Sequence, residues 1–158
     1  MFERFRIYNF GFEYPKGSTI SFGKETSRSK GHVVFRLPGE ERVFVSWGQL
    51  DSISQKFRTP EAHAAHSLSK LSNAKDLREV RLITRAVANV NGHAAVLTHI
   101  AVDSAGPISK SRNREIRALH LHCEDSGRFF ILNESCVTGS PVDSARVFAK
   151  LRESFVCH

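Results

Sequence analysis

His120-Leu121-His122 is the segment of this sequence best suited to chemistry. Residues i and i+2 of a strand project to one side about 7 Å apart, which lets two imidazoles hold one divalent metal such as zinc. A third ligand has to come from Glu124, from His99 or from a loop. Leu119, Leu121 and Cys123 alternate with the pair and take the more apolar side, so the two histidines are expected on the less buried one. A histidine pair on a half-exposed strand face is also ordinary surface, and both readings stand. His63 and His66, at helical spacing, could chelate as well, but beside an apolar stripe they read first as a solvated helix edge. His99 faces Thr84 across a hairpin and reads as a partly buried, satisfied histidine rather than a base.

Nucleophilic chemistry finds less support. No serine occupies a Gly-x-Ser-x-Gly elbow, and no phosphate-binding glycine loop is present. Cys123 neighbours His122, but adjacent strand residues point to opposite faces. Cys136 reads as a small core residue, and Cys157 and His158 as a frayed end. Asp51, Glu61, Asp103, Glu124 and Asp125 are scattered and suggest no carboxylate pair. Trp47 reads as a core or lid residue, and Gly11 and Gly17 as turn punctuation. The expectation is a protein that is not an enzyme.

Composition narrows the partners. The chain has 158 residues, 12 of them Phe, with 41% apolar side chains, enough for one domain over 1–158 with a core of its own. Its three cysteines are odd in number and lack close-paired spacing, which argues against a disulfide framework and a Cys-type zinc site and suits a reducing compartment. Charges at positions 3, 4 and 6 interrupt any signal-peptide pattern, and no run approaches the roughly 20 apolar residues of a membrane span. A cytoplasmic location is expected. The net charge of +7 allows an anionic partner, although the basic residues are spread along the chain. Lys110, Arg112 and Arg114, with Arg117 beyond, form the main basic group and are the candidate partner-binding residues; Lys24, Arg28 and Lys30 form a second. Neither is interleaved with aromatics as an RNA-binding sheet is, so a solvated basic surface is the first reading and weak nucleic-acid binding the lesser one.

Several elements must position these residues. Short strands near 4–8, 10–14, 19–23, 32–37 and 42–47 open the chain. Thr59-Pro60-Glu61 starts a helix, with Thr as cap and Pro at the first helical position, and Ala64, Ala65, Leu68 and Leu71 make its buried stripe up to Asn73. Asn91-Gly92 is a strong two-residue hairpin signal, setting Val90 opposite His93, Ala88 opposite Ala95, Ala86 opposite Leu97 and Thr84 opposite His99. One face of that hairpin should carry Val80, Leu82, Ala86, Ala88, Ala95, Leu97 and Ala101, and the other Ile83, Val87, Val96, Ile100 and Val102. A second hairpin joins strands near 114–123 and 128–135, and a helix from 141 to 154, capped by Ser140, closes the chain. Two partly apolar faces imply cover on both sides. The expected class is α+β, a largely antiparallel sheet between helices in an α/β/α sandwich. Exposed strand edges allow a monomer or a weak dimer.

Phe10-Gly11-Phe12-Glu13-Tyr14-Pro15-Lys16-Gly17 resembles the opening segment of the PsbP-like family, named for an extrinsic subunit of photosystem II. Val33-Val34-Phe35 and Val43-Phe44-Val45-Ser46 resemble its next strands, Thr59-Pro60-Glu61 its first long helix, and Val90-Asn91-Gly92-His93-Ala94-Ala95 its Asn-Gly turn. Arg128-Phe129-Phe130-Ile131-Leu132 is similar to its late strand, before a closing helix that ends at Ser154-Phe155. Ser18 stands where the family usually has Trp. A Ran-binding nuclear-import factor belongs to the same superfamily. The resemblance implies an α/β/α fold and a non-catalytic, protein-binding role, with a metal at His120 and His122 as the alternative.

Overall fold

Asn91 and Gly92 adopt φ of 51° and 88°, the left-handed pair that a two-residue hairpin turn requires. The turn sets the expected register, with Val90 opposite His93, Ala88 opposite Ala95, Ala86 opposite Leu97 and Thr84 opposite His99. In this computed structural model, which describes residues 1–104, 113–140 and 143–158, the turn joins β6 (Leu77–Val90) to β7 (His93–Ser104). A bulge between Leu82 and Thr84 then shifts the alternation. Leu82 pairs with Ile100 and Val80 with Val102, so both lie on the opposite face from the one their spacing suggested.

Nine strands and three helices are described. The chain opens with β1 (Phe2–Ile7) and β2 (Phe10–Pro15), continues through β3 (Thr19–Phe22), β4 (Gly31–Arg36) and β5 (Arg42–Gln49), and then enters α1 (Leu50–Ser54) and α2 (Pro60–Ser72). After β6 and β7 come β8 (Asn113–Cys123), β9 (Arg128–Val137) and α3 (Ser144–Ser154). The strands from β3 onward form one antiparallel sheet in the order β3-β4-β5-β9-β8-β7-β6, and β1 pairs with β2 alone. This is the expected α+β sandwich. Helix α2 covers one face, while α3 and the β1–β2 pair cover the other.

The helix ends show which local signals held. Thr59 caps α2, its hydroxyl accepting from the Ala62 amide at 3.2 Å, and Asn73 ends the helix as its position suggested. Helix α3 starts later than expected. Asp143 is its cap, accepting from the Arg146 amide at 3.0 Å, while the Ser140 hydroxyl donates to the Glu41 carboxylate; the expected start at 141 lies outside the described residues. The short α1 was not legible in the sequence.

Aromatic rings fill the α3 side of the sheet. Phe10, Phe12, Phe35, Phe130 and Phe155 are fully buried, with Phe10 and Phe130 centroids 5.1 Å apart. Trp47 is buried among them, and its indole N–H donates to the Ser27 carbonyl at 2.9 Å, which fastens the 24–31 loop. Gly11 is not a turn residue. It lies within β2, exchanges two 2.9 Å backbone hydrogen bonds with Val156, and leaves only 2.5 Å between an added Cβ and the Phe5 carbonyl. Gly11→Ala should therefore lose about 1–3 kcal/mol in urea unfolding. A change below about 0.5 kcal/mol would show that the β1–β2 pair yields freely.

Candidate binding site beneath helix α2

Period-2 alternation splits β8 between two environments. Leu119, Leu121 and Cys123 point into the aromatic core, whereas Ala118, His120 and His122 point toward α2. Because α2 covers that second face, the histidine pair is not on a half-exposed surface: His120 is 3% and His122 8% exposed. The third member is His63 of α2, 6% exposed and so not the solvated helix edge its spacing suggested. His66 does occupy such an edge, against the Phe57 ring. The Nδ1 of His63 lies 3.5 Å from the His122 Nε2, and the His63 ring meets that of His120 at 5.2 Å. His120 Nε2 is bonded to the Ser67 hydroxyl at 3.0 Å, while its buried Nδ1 has no hydrogen-bond partner among the described residues. A sequence signal for this meeting existed: His63 and Ser67 are i and i+4 beside the Ala64, Leu68 and Leu71 stripe.

The three imidazoles are held neutral. Burial first, then the charges of His122 and His66, push His63 down to about 4. Burial, then His63 and His122, push His120 down to about 3. Burial also lowers His122, opposed by Glu61 and Glu124. Their donor nitrogens do not all converge. Among the described residues, the group of metal-ligating side chains with every donor atom within 4.8 Å of the others is His93, Cys123, Cys157 and His158.

Beside the histidines lies an open cavity of about 340 Å³ between α2 and the sheet. Phe44, Leu68, Leu71, Ile100, Ile116 and Ile131 supply apolar wall, and Ser67, Thr98, His120 and Asn133 a few polar points. No carboxylate or thiol lines it among the described residues. The bulge in β6 brings Leu82, 41% exposed, to the face of Ile100, while Val87, 75% exposed, shares a face with Val96 in the register set by the turn.

The other sequence candidates lie elsewhere. His99 bonds to the Glu115 carboxylate at 3.3 Å, and neither it nor Glu124 joins the pair as a third ligand. Lys110 and Arg112 fall outside the described residues. Arg114 bonds the Ser135 hydroxyl at 3.1 Å and the Glu40 carbonyl at 3.4 Å. Arg117 is not part of a surface patch: it contacts the Glu134 carboxylate at 3.2 Å and the Ser144 hydroxyl at 2.7 Å. Cys136 is buried and free, as a core cysteine should be. The argument from cysteine count and spacing against disulfide bonding misses one bond, because Cys123 and Cys157 form a disulfide across 34 residues of sequence. That bond removes the cysteine count as support for a reducing compartment. The segment holding Cys157 and His158 is not frayed either, since Val156 pairs with Gly11.

No family model and no curated protein matches the sequence. Solved structures do. The solution structure of cyanobacterial PsbP (CyanoP) from Synechocystis superposes with a TM-score of 0.73 over 99% of this chain and 92% of that one, at 18% identity. The fold is PsbP-like. A point mutant of protein Mog1 matches with a TM-score of 0.63 over 99% of this chain and 95% of the other, at 9% identity. PA94 from Pseudomonas aeruginosa, a protein of unknown function, matches at 0.59 over 99% and 97%, at 17% identity. At these identities the likeness is one of fold, and it bears out the expected PsbP-like fold. No described helix of this PsbP-like chain is long and apolar enough to cross a membrane.

Proposed function

We propose that this PsbP-like chain is a non-enzymatic protein-binding domain that takes an apolar segment of its partner into the cavity beneath α2. The observation that carries this reading is the cavity wall, apolar on most sides and continuous with the exposed Leu82 and Val87 of the β6 edge. Pockets of this kind bury an apolar anchor and use a few polar groups for orientation. Ser67, Thr98 and Asn133 on the wall can supply such groups. Exposed Leu82 and Val87 share the faces of Ile100 and Val96, and an apolar strip along a strand suits a protein segment. Arg85, exposed on β6 opposite Thr98, adds a positive charge beside it.

Panning a displayed peptide library against the immobilised protein, followed by titration of an enriched peptide, tests the reading. The expected peptides are apolar. Their binding should weaken about tenfold or more, roughly 1.4 kcal/mol per tenfold, in Ala118→Phe, which fills the cavity, and in the surface variant Leu82→Lys. Arg146→Ala on the far helix should bind like wild type. Peptides that bind both cavity-side variants as tightly as wild type would overturn the assignment.

A further inference from the structure

We propose that His93, Cys123, Cys157 and His158 form a zinc site when the Cys123–Cys157 disulfide is reduced, clamping the segment after α3 onto the β7–β8 strand ends. The fold brings the four together from three places. His93 opens β7 two residues before Ala95 and Cys123 ends β8 two residues after its partner Leu121, so both project to one face. Cys157 and His158 arrive from the segment after α3, which is held in place by the Val156–Gly11 pairing and by Arg128, whose guanidinium donates to the Cys157 carbonyl at 3.2 Å. The Asn91 side-chain amide of the neighbouring turn also donates to the Phe155 carbonyl.

The donor set and its dimensions suit a tetrahedral Cys2His2 centre. With Zn–S near 2.3 Å and Zn–N near 2.0–2.1 Å, a tetrahedron has sulfur–nitrogen edges of about 3.6 Å. His158 Nδ1 lies 3.4 Å from Cys157 Sγ and 3.7 Å from Cys123 Sγ, and all four donors fall within 4.8 Å of one another. His93, Cys123 and Cys157 are buried, whereas His158 is exposed and forms a lid. An outer carboxylate is also in place. Asp125 Oδ2 is 3.7 Å from His93 Nε2 and 3.9 Å from His158 Nε2. Carboxylates of this kind orient ligating histidines, and here Asp125 leaves the His158 Nδ1 turned to the sulfurs.

The disulfide and the zinc centre exclude each other, because the same two sulfurs serve both. A phosphine reductant opens the S–S bond by taking a sulfur onto phosphorus; water then converts it to the phosphine oxide and leaves two thiols. Zn²⁺ binding replaces the two thiol protons, which pass to solvent. Hydrogen peroxide reverses the change: two electrons leave the thiolates, the S–S bond re-forms, Zn²⁺ departs and the peroxide becomes water.

Zinc titration of the full chain against a chromophoric chelator, before and after phosphine reduction, tests the site. Reduced protein should bind one equivalent, oxidised protein none, and peroxide should release the metal. Cobalt in place of zinc should show thiolate-to-cobalt charge transfer. His158→Ala, an exposed change that leaves the core intact, should weaken zinc binding about tenfold or more, and Cys123→Ser/Cys157→Ser should abolish it. His120→Ala/His122→Ala should bind like wild type. Failure of reduced wild type to bind zinc overturns the proposal. So does zinc binding retained by the double serine variant, with or without loss in the His120/His122 variant.

Discussion

Replacing Arg117 by leucine is expected to destabilise the protein by about 3–5 kcal/mol, the largest effect of any single polar substitution proposed for it. Urea unfolding monitored by circular dichroism measures this. Arg117 reaches the Glu134 carboxylate at 3.2 Å, Glu115 at 3.2 Å and the Ser144 hydroxyl at 2.7 Å, tying β8 to β9 and to the first turn of α3. The Glu134 side chain is 1% exposed, and its second oxygen has no partner among the described residues. Burial pushes that carboxyl up to about 7 even with Arg117 opposing the rise. Without the guanidinium, Glu134 must take a proton or remain a buried charge, and both cost stability. The double variant Arg117→Leu/Glu134→Leu should recover much of the loss, because replacing both partners removes the desolvation penalty with the attraction. A loss below about 1 kcal/mol in the single variant would mean that water reaches Glu134 and that the pair contributes little.

Acid should destabilise the protein through the histidines under α2 before most carboxylates titrate. An unfolded histidine takes up a proton near 6.5, whereas buried His63 does so near 4 and His120 near 3. Between those values the unfolded chain binds more protons, so stability is complete above about pH 6.5 and falls as the pH drops toward 4. Glu134 acts in the opposite sense, since its carboxyl takes a proton near 7 in the fold and near 4.5 when unfolded. Two histidines against one carboxyl leave a net loss of order 2–3 kcal/mol between pH 6.5 and 4. Urea midpoints at pH 7, 5.5 and 4.5 should fall in that order. His120→Gln should flatten the slope and Glu134→Gln should steepen it. A wild-type midpoint unchanged across this range would show that these imidazoles are hydrated in the native state.

The alternation of β8 was legible in the sequence, and it correctly separated His120 and His122 from Leu119, Leu121 and Cys123. Which side was more buried was not legible. A strand covered on both faces differs from a half-exposed one only through its neighbours, and α2 comes from 48 to 62 residues earlier in the chain. The bulge at Leu82 was equally hidden, because one extra residue leaves no compositional mark and yet reverses the faces from Leu82 back to Glu79.

What the sequence by itself determined is what short-range stereochemistry decides. Asn91-Gly92 tolerates the positive φ of a tight turn and so set the register of β6 and β7. Thr59 accepted a free amide where α2 begins, and Pro60 brought none to satisfy. The two-faced strands required cover on both sides, and hence the sandwich. Tertiary structure alone decided the company each reactive group keeps: His63 beside His122, Arg117 against Glu134, and Cys123 with Cys157, His93 and His158. Those meetings depend on how distant segments pack around one core. Nothing local favours them until the sheet has closed and both faces are covered.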